Sequence, residues 1–203
     1  MKTKQIFLVA IMMAVSFNLV AQDEEEVKTG FQKDKLFTGG TLNLSFGNQV
    51  TALGLSPFFG YSLNKYLDVA ASVGVSYISQ RDYSFYNADD KLRQVIYGPG
   101  AFVRVFPVKF LFAQAQYEFN LIKLKYIPPS NSGLPSDTYN SDAHSVLVGG
   151  GFASGRDAYN KSFYYISVLW DVAKSDNSPY KDNLNRAIPI LRAGYNIALF
   201  QGK

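Results

Sequence analysis

Residues 111–121 read LFAQAQYEFNL. Side chains of a β-strand alternate between its two faces, so the odd-numbered apolar and aromatic residues here share one face. From Gln114 to Asn120 the other face carries amides and the carboxylate of Glu118, whereas a solvated face would mix Lys with Glu. The pattern is typical of a strand with lipid on one side and a packed polar interior on the other.

The same alternation recurs along most of the chain, without helical segments between its repeats. It predicts an all-β fold, and specifically an eight-stranded antiparallel up-and-down transmembrane β-barrel. The eight predicted strands cover about residues 37–47, 50–61, 67–79, 92–106, 111–121, 143–154, 163–172 and 188–200.

The connections alternate in length after the first hairpin. Tight turns are predicted at about residues 63–65, 107–109 and 155–161, and long polar connections at about 80–91, 126–142 and 174–187. Outer-membrane barrels have short periplasmic turns and long outer loops. We therefore expect both termini in the periplasm and the long connections outside the cell.

The N-terminus has the features of a secretory signal peptide. Lys2 and Lys4 precede an apolar run at residues 6–15, and that run is shorter than the ~20 residues of a spanning helix. Cleavage after Ala21 divides the chain into three parts. These are a signal peptide at residues 1–21, a periplasmic tether at 22–35 and an outer-membrane barrel at 36–203.

The composition excludes several classes of function. The chain has no cysteine, which excludes a lipidated cysteine anchor, disulfides and thiolate metal sites. Its 20 basic and 16 acidic side chains give a net charge of +4, and 18 against 16, or +2, without Lys2 and Lys4. This balance offers no case for nucleic-acid binding. The pattern predicts no cofactor and no metal.

A soluble barrel of the lipocalin kind, with apolar side chains directed into a ligand cavity, is the alternative fold. Against it, the less apolar face is dominated by Gly, Ser, Ala, Gln and Asn, which suits a narrow filled lumen. The outward aromatic residues also sort by height into two girdles, as a bilayer favours. The outer girdle contains Tyr77, Tyr97 and Trp170, and the inner girdle Phe59, Tyr61, Tyr164 and Tyr195.

Two stretches resemble a known family. Residues 192–200 read RAGYNIALF, and residues 56–67 read SPFFGYSLNKYL, followed by Gly74 and Tyr77. Both are similar to small outer-membrane β-barrel proteins of Bacteroidetes-type bacteria that lack a peptidoglycan-binding domain. The resemblance implies a C-terminal signal for the barrel-assembly machinery, formed by Gly194, Tyr195, Ile197, Leu199 and Phe200. It brings no single shared activity.

A few charged residues are predicted to face the barrel interior, namely Asp68, Arg104, Glu118, Asp171 and Arg192. From their heights along the strands we expect Asp68 near Arg104. If the connection between the last two strands is symmetric, Asp171 is a diagonal neighbour of Arg192, with Glu118 at a similar height. Buried charges must be paired, so the favoured interpretation is a lumen plug of ion pairs and amides. The alternative is a gated path or proton relay, but eight strands enclose little more than side chains.

His144 is the only histidine, and catalysis at a barrel surface could use it with a serine and a carboxylate. Outer-membrane lipid A deacylases carry a His-x-Ser arrangement, whereas His144 and Ser145 are adjacent and point to opposite faces. No nucleophile with a base at hand can be named, and no second histidine offers a metal site. We therefore predict that the protein is not an enzyme and that His144 lies at a loop edge.

Three cations, Arg93, Lys123 and Lys125, are predicted to project outward just beyond the outer girdle. They are interpreted either as solvated rim charges or as contacts to lipopolysaccharide phosphates. The polar connection at residues 126–142 could contact a partner.

These observations predict a non-enzymatic structural or accessory component of the outer membrane of a Gram-negative bacterium. Its expected partners are outer-membrane lipid, lipopolysaccharide and a larger outer-membrane protein complex. Two alternatives remain open: binding or transport of a small apolar ligand through the barrel, and a lipid-modifying enzyme.

Overall fold

The computed structural model describes residues 30–46, 50–84, 89–154, 156, 162–173, 175–181 and 186–200. The chain divides into two units, Met1–Gln32 and Lys33–Lys203. The predicted signal peptide at residues 1–21 and most of the predicted tether at 22–35 lie outside the described residues and stay predictions.

The second unit is a closed antiparallel barrel in which each strand pairs with the next along the chain. A short 3₁₀ turn, Lys33–Lys35, precedes the first strand. The eight strands are β1 Leu36–Phe46, β2 Val50–Ser62, β3 Leu67–Arg81, β4 Lys91–Val108, β5 Leu111–Ile127, β6 Asp137–Ser154, β7 Phe163–Asp171 and β8 Ile190–Ala198. The register from Phe37↔Ala198 to Asn43↔Arg192 joins β1 to β8, so the predicted eight-stranded up-and-down barrel is confirmed.

The largest error in the predicted strand bounds concerns the connection at residues 126–142. β5 runs to Ile127 and β6 begins at Asp137, so only residues 128–136 connect them. Residues 137–142 are polar on both faces and therefore lack the alternation that marks a strand. Their backbone nevertheless pairs with β5, as in Lys123↔Asn140, because ladder hydrogen bonds do not depend on apolar side chains.

The two ends of the barrel are named here by their connections. The turn end carries the short connections at residues 63–66 and 109–110 and the one between β6 and β7. The loop end carries the connections at 82–90, 128–136 and 172–189. No helix in the described part of the chain is long and apolar enough to cross a membrane.

Alternation along the strands separates a buried inner face from an exposed apolar outer face. On β7, for example, Tyr165 is 4% exposed while its neighbour Tyr164 is 68% exposed. On β3, Ser72 is buried and Val73 is 61% exposed. An outer wall of exposed aliphatic and aromatic side chains is the arrangement found in barrels that contact lipid.

The lumen is filled by side chains in layers. An aromatic floor near the turn end consists of Phe37, Phe58, Phe102, Phe106, Phe112, Phe163 and Tyr165. Smaller apolar clusters lie near the loop end, formed by Ile96, Ile122 and Ala143 and by Leu147, Leu169 and Ile190. Polar residues occupy the space between floor and loop end, and they form the candidate site.

Candidate functional site

All five predicted inward charges lie buried in the lumen. Their residues are between 1% and 9% exposed: Asp68 and Arg104 1%, Asp171 and Arg192 3%, and Glu118 9%. The register places Asp68 directly opposite Arg104 across β3 and β4, as the strand heights predicted. The hydrogen-bond and ion-pair partners of these five residues match the predicted pairs only in part.

A chain of hydrogen bonds runs along the inner face of β5. Nε of Arg104 donates to Gln114 Oε1 at 2.7 Å, and Nε2 of Gln114 donates to Gln116 Oε1 at 2.7 Å. Nε2 of Gln116 then donates to Glu118 Oε1 at 2.8 Å. We call this the polar ladder. Its amides all point the same way, from a cation to a carboxylate, so each bond polarises the next.

The loop end of the polar ladder is an ion pair covered by a tyrosine. Nη2 of Arg192 lies 2.9 Å from Glu118 Oε1, and Nη1 donates to Gln116 Oε1 at 3.1 Å. The hydroxyl of Tyr180 donates to the second oxygen of Glu118 at 2.6 Å. Burial, and then the charge of Glu118, raise the pKa of Tyr180 far above its ordinary value, so the hydroxyl stays protonated and remains a donor.

Asp171 does not pair with Arg192. Arg192 lies opposite Ser167, so Asp171 stands further toward the loop end than the predicted diagonal contact requires. Its carboxylate accepts hydrogen bonds from the Ser178 hydroxyl and from two backbone amides, Val146 N at 3.0 Å and Ala173 N at 2.9 Å. The predicted Asp171–Arg192 contact was wrong because the hairpin connection between β7 and β8 was assumed to be symmetric.

Asp68 is likewise bound by a residue that the sequence did not single out. Nη1 of Arg156, from the connection between β6 and β7, lies 2.5 Å from Asp68 Oδ2. Nη2 of Arg156 also donates to the Lys65 carbonyl at 3.2 Å, and its guanidinium stacks 3.7 Å from the Phe106 ring centroid. These contacts link the connection between β6 and β7 to the start of β3 and to the turn before it, at the turn end of the lumen.

Arg104 sits inside the aromatic floor. Its guanidinium carbon lies 4.0 Å from the ring centroid of Tyr165 and 4.4 Å from that of Phe102. Phe112 and Phe58 are next, at 5.2 Å and 5.6 Å. A cation over several desolvated ring faces is attracted by each of them, so the floor holds Arg104 with rings and one amide instead of a carboxylate.

Residues 175–181 fold back over the loop end of the lumen, and we call them the cap. Besides the Ser178 and Tyr180 contacts, Lys181 Nζ donates to the Ser175 carbonyl at 2.8 Å, within the cap itself. Ile188 N donates to the Tyr180 carbonyl at 3.0 Å, and Tyr180 packs on the cluster of Leu147, Leu169 and Ile190. Sequence reasoning placed this segment in a long polar outer loop, where only Tyr180 stands out as a large ring.

A small cavity lies between the cap and the aromatic floor, on the side of β1 to β4. Its volume is about 20 Å³, which is room for about one water molecule. The polar lining consists of Asn43, Ser56, Ser72, Ser76, Glu118, Asn120 and Tyr180. Gly74, Gly98 and Gly100 complete the wall together with Ile96 and Tyr97, so part of the space exists because β3 and β4 carry no side chain at three positions.

His144 lies well inside β6, not at a loop edge, because β6 begins at Asp137. Its exposed ring faces outward between two aromatic residues of β5, and the hydroxyl of Tyr117 is 2.6 Å from its Nδ1. The Phe119 ring centroid is 5.0 Å away. Ser145 beside it is fully buried, so the two side chains point to opposite faces. In the described ranges no three acidic or histidine side chains converge on a metal-binding position.

The three predicted rim cations belong to a larger outward cluster at the loop end. Arg93 lies directly opposite Lys125, and Arg81 directly opposite Lys91, across adjacent strands. Lys123 is two positions from Lys125 on the same face of β5. None of these five cations has an ion-pair partner among the described residues.

The seven predicted girdle residues all lie on the outer face. Tyr77, Tyr97 and Trp170 are 41%, 49% and 44% exposed, and Phe59, Tyr164 and Tyr195 are 53%, 68% and 37% exposed, with Tyr61 half-buried. The Tyr164 and Tyr195 rings are in contact at 4.5 Å. The structure adds two aromatic residues at the turn end, Phe110 in the turn before β5 and Phe152 on β6, whose ring centroids are 6.2 Å apart.

The residues of the predicted assembly signal divide between strand and tail. Gly194, Tyr195 and Ile197 lie in β8, whereas Leu199 and Phe200 follow its end. The amide of Leu199 still donates to the Leu36 carbonyl at 2.8 Å, so the chain leaves the barrel alongside the start of β1.

One loop at the loop end is organised around a buried carboxylate. Asp90, 1% exposed, accepts hydrogen bonds from the Ser84 hydroxyl at 2.5 Å and the Tyr126 hydroxyl at 3.1 Å. Burial alone would raise the pKa of Asp90, but these hydrogen bonds outweigh it and bring the pKa below its ordinary value. The sequence offered no signal for this site beyond a polar loop.

No protein-family model matches the chain, and no curated protein matches it. Among solved structures it is similar to Ail, the attachment invasion locus protein of Yersinia pestis, crystallised with the heparin analogue sucrose octasulfate. That likeness has 13% identity and a TM-score of 0.47, covering 80% of this chain and 96% of Ail. Neisserial surface protein A matches with 17% identity and a TM-score of 0.37, covering 81% and 96%.

The translocator domain of the autotransporter NalP from Neisseria meningitidis matches with 8% identity and a TM-score of 0.40, covering 96% of this chain and 97% of that domain. These proteins are too distant from the chain to indicate its function. The barrel fold rests on the strand pairing itself.

Proposed function

We propose that the protein is a non-enzymatic β-barrel of the outer membrane of a Gram-negative, Bacteroidetes-type bacterium, with both termini in the periplasm. In this proposal it acts as a structural or accessory component. It docks to a larger envelope complex or contacts surface partners through its loop end, and the barrel-assembly machinery inserts it.

The observation that carries the proposal is the contrast between the two faces of the wall. The outer face exposes large apolar side chains on every strand whose side chains are described in full, for example Val75 on β3 and Ile166 on β7. The inner face is packed with the aromatic floor, the polar ladder and the cap. A barrel that is apolar outside and filled inside suits a bilayer without forming a pore.

The filled lumen also separates this proposal from its alternatives. A small apolar ligand needs an open apolar cavity, whereas the cavity between cap and floor measures about 20 Å³ and is lined by hydroxyls and amides. Lipid modification would require a nucleophile and a base on the outer face. The imidazole of His144, which faces outward, is hydrogen-bonded to the Tyr117 hydroxyl and flanked by the Phe119 ring.

The rim cations support contact with lipopolysaccharide phosphates as part of this function. Like charges directly opposite each other on neighbouring strands are destabilising, as at Arg93↔Lys125 and Arg81↔Lys91. A phosphate between such a pair removes the repulsion and accepts charge-assisted hydrogen bonds. The cluster is confined to β3, β4 and β5, which favours one bound lipid at a defined place.

Extraction of the tagged protein from its own outer membrane in a mild detergent tests the proposal. Sizing and mass spectrometry should find a stoichiometric outer-membrane partner, co-purified lipopolysaccharide, or both. A monomer without protein partner or lipid would contradict the accessory role. Changed lipid A in a deletion strain would instead indicate an enzyme.

The lipid contact has its own test. Lys123→Ala with Lys125→Ala should lower the lipopolysaccharide that co-purifies per barrel, because both lysines leave the cluster. The matched control, Lys65→Ala with Lys109→Ala, removes two positive charges at the turn end and should leave lipid content unchanged. Equal lipid in the two double variants would rule the contact out.

A further inference from the structure

We propose that the cap, residues 175–181, is a displaceable closure over a dead-end binding pocket in the loop half of the lumen. The pocket takes a small, uncharged, hydroxyl-bearing molecule. This inference goes beyond the structural role proposed above, and it depends on the interior of the barrel alone.

The cap is attached differently from every other part of the wall. Each strand is held by backbone pairing to both of its neighbours, whereas among the described residues the cap has one isolated bridge, Lys181↔Ala187. Its other attachments within the described residues are the hydrogen bonds of Ser178 and Tyr180, the amide of Ile188, and the packing of Tyr180 on the cluster of Leu147, Leu169 and Ile190. Segments with few backbone bonds and few packed contacts open at lower free energy than the strands around them. The cap can therefore leave while the barrel stays closed.

The cavity beneath the cap is chemically suited to hydroxyl groups. Ser56, Ser72 and Ser76 each offer a donor and two acceptors. The Oδ1 atom of Asn43 is buried without a hydrogen-bond partner among the described residues, and it lacks the donor that a hydroxyl would supply. An orphaned buried acceptor in a polar cavity is costly unless such a donor occupies the site.

The charge balance of the pocket disfavours ions. Among the described residues that line it, Glu118 is the one carboxylate, and it already pairs with Arg192 at 2.9 Å. A cation would compete with Arg192, and an anion would face Glu118. An uncharged molecule meets neither penalty, because burying an unpaired charge is far more costly than burying a hydrogen-bonded hydroxyl.

The size and shape of the pocket depend on Tyr180. With its ring in place the cavity holds about one water, and the ring forms part of the lining. Displacing the ring joins the cavity to the loop end of the barrel. Below the pocket, Phe58, Phe102 and Arg104 close the lumen, so the opened space is a pit and not a channel.

The absence of cysteine from the chain makes the cap directly testable. Ser72→Cys places one thiol in the pocket, and Ser130→Cys places one on the exposed loop as a control for reagent. The rate of modification by a water-soluble methanethiosulfonate is measured on the refolded barrel in detergent, where both ends are accessible. Circular dichroism and heat-modifiable gel mobility verify that each variant is folded.

The thiol at position 72 should react slowly with Tyr180 in place. Adding Tyr180→Phe should accelerate the reaction about tenfold, since one hydrogen bond to a charged group is lost. Tyr180→Ala should accelerate it further. The Ser130→Cys control should react at one rate in all three backgrounds. Equal modification rates at position 72 with Tyr180 and with Tyr180→Ala would overturn the proposal that the cap closes the pocket.

The ligand class is tested in the Ser72→Cys, Tyr180→Ala protein with glucose as the probe. Glucose should slow modification of position 72 and leave the Ser130→Cys control unaffected. Sodium chloride at equal osmolarity should have no effect at either position. Slowing by the salt, or no slowing by glucose, would overturn an uncharged hydroxyl-bearing ligand. Because the assay needs neither membrane nor lipid, its failure is independent of the outer-membrane function.

Discussion

The two halves of the lumen are filled by different kinds of side chains, aromatic in one half and mainly polar in the other. The turn half is filled by the aromatic floor, with Arg104 held among rings and the Arg156–Asp68 ion pair closing the end. The loop half is filled by the polar ladder, the Glu118–Arg192 pair and a loop folded inward. The floor is made by strand residues, whereas the cap is made by a connection.

This difference separates what holds the barrel closed from what can move. Rings packed from β1, β2, β4, β5 and β7 tie most of the wall together, and each ring loses its contacts only if strands separate. The cap depends on a few hydrogen bonds to residues on β5 and β7 and on the packing of the Tyr180 ring against one small apolar cluster. We therefore expect damage to the floor to affect the whole barrel, and damage at the loop half to be more local.

The largest expected effect is at the floor. Phe106→Ala removes a ring that is 1% exposed and contacts Phe112 and Phe163, which should lower the free energy of unfolding by about 4 kcal/mol. Urea titration of the protein refolded into lipid vesicles measures the loss. The outward Phe110→Ala is the control and should cost much less. Similar losses in the free energy of unfolding for the two variants would mean that packing in the aromatic floor does not dominate the stability of the barrel.

The second largest effect on stability is expected when the carboxylate of Glu118, in the loop half, is removed. Glu118→Ala leaves the buried Arg192 without a counter-charge and should cost about 3 kcal/mol. The double variant Glu118→Ala with Arg192→Met should recover part of that loss, because it also removes the orphaned charge. The same urea titration compares them. A double variant less stable than the single one would show that charge pairing does not govern this half.

Two adjacent glycines of β1, Gly39 and Gly40, test how closely β1 approaches β8 and the aromatic floor. A Cβ at Gly39 would meet the Tyr195 carbonyl at 2.1 Å and the Phe58 ring at 2.5 Å, whereas one at Gly40 meets nothing closer than 3.9 Å. Gly39→Ala should therefore cost about 1–3 kcal/mol, and Gly40→Ala should be close to neutral. Equal unfolding free energies for the two variants would contradict the close approach of β1 to β8.

The smallest expected effect is a pH dependence confined to one loop. The pKa of Asp90 is lowered in the folded protein, so its contribution is complete above its ordinary pKa and is lost as the pH falls through the lowered value. The amide signals of Ser84 and neighbouring residues should shift over that acidic range while the strands stay folded. Asp90→Asn should abolish the transition. A transition that persists in this variant would assign it to another group.

Much of the fold could be read from alternation alone. The period of two in residues 111–121 correctly separates Gln114 and Gln116, both buried, from Ala113 and Tyr117, both exposed. Alternation did not predict the strand at residues 137–142, because both faces are polar there. There the pairing with β5 is decided by the backbone, and side-chain polarity carries no information about it.

The partners of the inward charges were much less predictable. Strand heights place Asp68 beside Arg104, yet Asp68 binds Arg156, which is 88 residues away. Glu118 binds Tyr180, 62 residues away. Both partners come from connections whose path over the barrel ends depends on every strand they join, so no local pattern locates them.

Alternation along the sequence was enough to predict the number of strands, the inner and outer faces and the five strand charges that face the lumen, because strand geometry places successive side chains on opposite sides. The pairing of those charges, the position of the aromatic floor and the inward turn of residues 175–181 follow instead from tertiary contacts. Those outcomes depend on contacts between residues far apart in the chain. Such contacts form only when closure of β1 on β8 brings the eight strands around one shared interior.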